Sequence, residues 1–130
     1  MKINGIKPPT ESQIQQACMQ WWNSQYASIS TLLFAVPNGG NRNVIEAVKM
    51  KREGITPGVA DLILLIPKHG FNSLCIEMKT KVGKQSPIQK QWQKQAEIFN
   101  NKYVICRSLE EFMIIINEYL TIRIYEKRLR

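Results

Sequence analysis

Apolar residues recur along this chain in two rhythms, one of helical period and one of short strand-like runs, and the switches between them divide it into elements. Behind Pro8 and Pro9, the positions Ile14, Ala17, Cys18, Trp21 and Trp22 repeat at helical spacing within Glu11 to Ala27. Thr10 ahead of them, with Gln13 three residues on, has the form of a capping box, so a helix is expected from Glu11. Thr31 to Val36 has strand composition and stops at Pro37. Asn43 to Glu53 suits a helix ended by Gly54, with Val44, Ala47 and Val48 inward and Lys49, Lys51 and Arg52 outward. Two apolar runs follow, Gly58 to Ile66 and Leu74 to Lys79, separated by Pro67 and Gly70, and predict two buried strands joined by a turn.

Ser86 then caps a helix with Pro87 in its first position, whose expected core stripe is Ile88, Trp92, Ala96 and Phe99. Gln85, Gln89 and Gln93 form a second stripe beside Lys90 and Lys94, either as solvated surface or reaching toward a phosphate. Lys102 to Cys106 reads as a strand. Ser108 caps a last helix with Leu109, Phe112, Met113, Ile116 and Leu120 on its apolar side. The tail from Ile122 carries Arg123, Lys127, Arg128 and Arg130, and would extend that helix or lie on a partner.

Composition narrows the class. A chain of 130 residues at 44% hydrophobic suits one domain with a real core, and no repeat or linker divides it. A net charge of +8 favours a polyanionic partner over a small neutral substrate, although a basic solvated surface would give the same count. Cys18, Cys75 and Cys106 are odd in number, widely spaced and set in apolar sequence, which argues for reduced core thiols rather than a disulfide framework or a zinc site. With no run long enough to span a bilayer and no signal-peptide pattern, a cytoplasmic location is expected. Asn38-Gly39-Gly40-Asn41-Arg42 could approach a ligand closely, but it lacks the Lys-Ser/Thr ending of a nucleotide-binding loop, so no nucleotide cofactor is expected. His69, the single histidine, falls in the turn between the two central strands and reads as a surface residue.

Against the apolar background of those strands, three charged residues stand out. Glu77 and Lys79 fall on one face of their strand, about 7 Å apart along it. Asp61 opens the preceding strand, where antiparallel pairing would set it beside Glu77. Buried charges must neutralise one another or hold a cation, and oxygen ligands on two elements suit Mg2+ or Mn2+. On these three residues alone a structural ion pair is the plainer reading. Glu11, in a first helical turn, likewise compensates the helix dipole by default.

The order helix, strand, strand, strand, helix, strand, with Asp opening the second strand and Glu-x-Lys ending the third, resembles the restriction-endonuclease-like fold of the PD-(D/E)XK nucleases. Asn38-Gly39-Gly40, Arg42, Gly54, Gly58-x-x-Asp61-Leu62, Glu77-Met78-Lys79 and Ser86-Pro87-x-Gln89 together resemble its VRR-NUC branch, over roughly Glu11 to Ile116, and stand-alone copies of this size are similar to those carried by phages. The resemblance implies an α/β fold with a central mixed four-stranded sheet flanked by helices, an extra helix after the first strand and a C-terminal helix. One departure is Ala60 where the family usually has Pro before the catalytic Asp; Ala is compatible with the strand and removes only a stiffener.

The resemblance further implies Asp61 and Glu77 as ligands of Mg2+ or Mn2+, the Met78 carbonyl as a third, and Glu11 as a ligand directly or through water. Lys79 would act at the attacking water and Gln89 would be the helix glutamine of the site. Arg42, Lys49, Lys51, Arg52, Lys81, Lys84 and Lys90 are the expected DNA contacts, drawn from the basic positions near these motifs. The implied activity is endonucleolytic cleavage of branched DNA, with four-way junctions the leading substrate; a catalytically dead DNA-binding module of the same fold is the alternative. Stand-alone relatives act as homodimers, for which the apolar C-terminal stripe and the Gly39-Gly40 hinge offer a surface and a point of element exchange.

Overall fold

A computed structural model describes residues 5–37 and 43–121 of the chain. Its helices are α1 (Glu11–Gln25), α2 (Val44–Arg52), α3 (Pro87–Ile98) and α4 (Leu109–Leu120), and its strands β1 (Leu33–Ala35), β2 (Leu62–Leu64), β3 (Leu74–Met78) and β4 (Lys102–Cys106). Local chemistry starts the helices where the side chains allow it. Thr10 and Gln13 form a reciprocal capping box on α1, Ser86 and Gln89 form another on α3 with Pro87 in its first turn, and Ser108 caps α4.

The four strands form one mixed sheet in the order β1-β2-β3-β4. The first three are antiparallel neighbours, and α3 carries the chain across so that β4 lies parallel to β3. Every residue of β3 is buried, because helices cover both faces of the sheet. On one face Leu62, Leu64, Leu74, Ile76 and Met78 join Ile14, Cys18 and Trp22 of α1 and Phe112 and Ile116 of α4. On the other a smaller cluster of Ala60, Cys75 and Tyr103 packs against Ile63, Ile105 and Trp92 of α3. Cys18, Cys75 and Cys106 are buried free thiols.

Several sequence expectations change. Thr31 and Leu32 belong to an irregular 3-10 segment, Ala27–Leu32, so β1 keeps only three residues of the expected strand. Helix α2 forms, yet none of its residues is buried and Val44, Ala47 and Val48 are exposed. A helical period establishes that one side is apolar, not that anything covers it. On α3, Trp92 and Ala96 are half-buried while Ile88 and Phe99 are exposed, since the sheet meets only the middle of that helix. The stripe on α4 is spent in the protein's own core through Phe112 and Ile116, which removes it as a dimer surface. His69 is half-buried, and its Nε2 donates to the Tyr119 carbonyl at 2.9 Å, docking the β2–β3 turn on α4. Arg42, the Gly39-Gly40 hinge and the basic tail from Ile122 lie outside the described residues.

Candidate active site

The two central strands bring three charged side chains together at one end of the sheet. Leu62 pairs with Ile76, and continuing that antiparallel register one step sets Asp61 opposite Glu77 on the face covered by α3. Strand β2 does not continue to Asp61. Instead the Asp61 side chain takes the next rung of the ladder, its Oδ2 accepting the Met78 N–H at 2.7 Å, while its carbonyl accepts Val36 N–H at 2.9 Å. Within a strand the N–H and C=O of one residue point the same way, so the Met78 carbonyl is turned toward Asp61 as well. Lys79 continues β3 through its N–H to the Cys106 carbonyl, and its Nζ lies 4.0 Å from Glu77 Oε2.

Glu77 is 1% exposed. Removal from water, followed by the Asp61 carboxylate beside it, pushes its carboxyl up to about 8; Lys79 and the Tyr103 hydroxyl pull the other way. Both of its oxygens are held. Gln89 Nε2 donates to Oε2 at 3.1 Å, and the Tyr103 hydroxyl donates to Oε1 at 3.2 Å. Gln89 at the same time accepts the Ser86 N–H at 2.8 Å, so one side chain both caps α3 and grips the carboxylate. The glutamine stripe therefore faces the site: Gln85 Nε2 donates to Gln93 Oε1 at 2.7 Å and to Tyr103 Oη at 3.1 Å.

Glycine is required at one approach to this site. Gly58 has a φ of +87° and lies so close to α3 that an added Cβ would fall 2.8 Å from the Ile88 carbonyl oxygen. The turn before Asp61 is thereby seated on the first turn of the helix that carries Gln89.

The donor set fits a hard divalent ion. Two carboxylates, one of them stripped of water, and a strand carbonyl on the same side are oxygen ligands of the kind Mg2+ or Mn2+ takes, with water and phosphate oxygens completing the shell. Among the described residues no three His, Cys, Asp or Glu side chains converge on one metal position, so exposed Glu11 stands apart from the Asp61 and Glu77 pair.

The basic residues are spread along the chain. Lys81 and Lys84 are exposed on the turn that follows Lys79, and Arg107 pins that turn through Nη1 to the carbonyls of Thr80 at 2.8 Å and Gly83 at 2.7 Å. Lys90 is exposed on α3, and Lys49, Lys51 and Arg52 on α2. Nothing in the sequence marks Tyr103 or Arg107 as site residues, whereas Gln85 and Gln93 belong to the glutamine stripe read there as surface or as reaching toward a phosphate. The spacing of the glutamines carried a signal; for Tyr103 and Arg107 the partner lies on another element, and no local pattern reports it.

No helix among the described residues is long and apolar enough to cross a membrane. Residues 9–110 match the VRR-NUC domain family. A solved structure of a VRR_NUC domain protein aligns with a TM-score of 0.77 at 24% identity, covering 88% of this chain and 91% of that one; at such identity the likeness is one of fold. No curated protein matches the chain. With most of its length matched, this chain belongs to the VRR-NUC domain family, a family of nuclease-type DNA-binding domains.

Proposed function

We propose that the protein is a divalent-metal-dependent, structure-specific DNA endonuclease that cuts phosphodiester bonds in branched DNA, with four-way junctions as its preferred substrate. The observation that carries this reading is the buried Glu77 carboxyl lying beside Asp61 and within 4.0 Å of the Lys79 ammonium. A buried acid flanked by a second acid is costly to ionise, and a bound cation removes that cost. Asp61 and Glu77 would hold Mg2+ or Mn2+ with the Met78 carbonyl, and Glu11 would act through water. When bound, such an ion lowers the pKa of a coordinated water and offsets charge growing on the scissile phosphate.

The protein's own groups do the rest. Lys79, largely buried and directed at Glu77, orients the attacking water or steadies the same phosphate as a point charge. Gln89 fixes the Glu77 carboxylate against α3. Lys81, Lys84 and Lys90, with Lys49, Lys51, Arg52 and Arg42, would contact backbone phosphates, which position DNA without reading sequence. The protein would work as a homodimer, and the exposed Val44, Ile45 and Val48 of α2 support that assembly.

The test is cleavage of a labelled four-way junction and a matched linear duplex with Mg2+, Mn2+ or EDTA. Junction cuts that require metal, reduced at least about 100-fold in Asp61→Asn and Lys79→Ala, are expected. Equal cutting of both DNAs would remove the junction preference and keep the chemistry. Binding of both without cutting would make the protein a DNA-binding module with a dead site.

A further inference from the structure

We propose that Tyr103, backed by Gln85, is a positioning residue that fixes the plane in which Glu77 presents its carboxylate to the metal. The inference rests on the reading of Asp61 and Glu77 as metal ligands and deepens it.

Tyr103 lies on β4 with its side chain in the small cluster under α3, its ring 6.1 Å from that of Trp92. Its hydroxyl has a single hydrogen. Gln85 Nε2 donates to Tyr103 Oη at 3.1 Å and, with its other hydrogen, to Gln93 Oε1 at 2.7 Å. That occupies the acceptor side of the phenol and directs its hydrogen at Glu77 Oε1, 3.2 Å away. Gln89 holds Oε2 from α3. The carboxylate is thus gripped at both oxygens by neutral donors from two different elements, with Asp61 beside it and Lys79 Nζ 4.0 Å from Oε2.

The division has a physical purpose. Hydroxyl and amide donors hold the carboxylate in place without adding charge of their own, so they orient it and leave it available to an ion. Hydrogen bonds behind a ligating group commonly govern metal affinity by about 10–100-fold. A tyrosine whose hydroxyl merely found the nearest acceptor would have no such effect.

The experiment uses the full chain as wild type, Tyr103→Phe and Gln85→Met. Mn2+ binding is measured without DNA by calorimetry or electron paramagnetic resonance, folding in EDTA by circular dichroism, and cleavage as a function of Mn2+ and of junction concentration. Tyr103→Phe keeps the ring and its packing; it is expected to fold, to bind Mn2+ about 10–100-fold more weakly, and to need correspondingly more Mn2+ for cleavage at unchanged KM for DNA. Gln85→Met is expected to shift the same constants in the same direction by less, and it carries the test should Tyr103→Phe fail to fold. Mn2+ affinity equal to wild type in the folded variants would overturn the role of Tyr103 alone. Absence of Mn2+ binding in wild type would overturn the metal reading, and this proposal with it.

Discussion

The cost of burying a carboxylate falls on Glu77 alone among the described acids, and its protonation should be visible in the stability of the metal-free protein. An unfolded glutamate releases its proton near 4.5, whereas in the fold Glu77 retains it to about 8. Between those values the folded state binds the extra proton, so this group's contribution is fully present below about 4.5 and is lost as pH rises toward about 8. Thermal unfolding in EDTA should therefore show wild type losing stability from pH 5 to pH 8, by an amount on the order of a few kcal/mol. Glu77→Gln, which cannot ionise, should flatten that slope. An unchanged slope in the variant would mean that Glu77 is solvated or already compensated without metal.

At the scale of elements, the site depends on how closely one turn and one helix approach. Asp61 comes from the end of a turn, Glu77 from the C-terminal end of the inner strand β3 and Gln89 from α3, so the contact of Gly58 with the Ile88 carbonyl sets how the first and third stand to one another. Gly58→Ala would place a methyl group 2.8 Å from a backbone oxygen at a positive φ. The expected result is a loss of about 1–3 kcal/mol in unfolding free energy, with cleavage falling more than that loss of folded protein explains, because Gln89 moves with α3. A variant of unchanged stability and activity would show that the turn can move aside freely. Much of this scale was legible in sequence: the caps at Thr10, Ser86 and Ser108 are short-range hydrogen bonds and need only the residues that form them. The fate of the apolar stripes was not, since Val48 and Phe112 obey the same period while one is exposed and the other is fully buried.

For the molecule as a whole, the apolar surface left open is α2. Val44, Ile45 and Val48 lie beside Lys49 and Arg52 around one shallow concavity, and Val44 and Ile45 are 78% and 82% exposed. Apolar residues left so open on a short helix suit a partner better than water, and the homodimer proposed above would offer one. On that proposal wild type should sediment as a dimer, and the double substitution Ile45→Glu and Val48→Glu should sediment as a monomer without the proposed preference for a junction over a duplex. Retention of the dimer would place its interface elsewhere. The net charge of +8 belongs to this scale too: it favours DNA anywhere on the surface and names no contact.

Local sequence was enough for the helix caps, for the number and order of the strands though not their ends, and for the presence of Asp61, Glu77 and Lys79 in an apolar setting where charge needs a reason. Those features follow from neighbours within a few residues or from a period along one element. It also showed that Glu77 and Lys79 share a face, because strand side chains alternate. Tertiary structure alone decided that Asp61 reaches past the end of its strand to the Met78 N–H, that Tyr103 closes on Glu77, and that Arg107 pins the turn bearing Lys81 and Lys84. Each of those contacts joins elements whose register and packing are settled by the assembled core. The same assembly buried α4 and left α2 open, a choice set by which surfaces the sheet had left to cover.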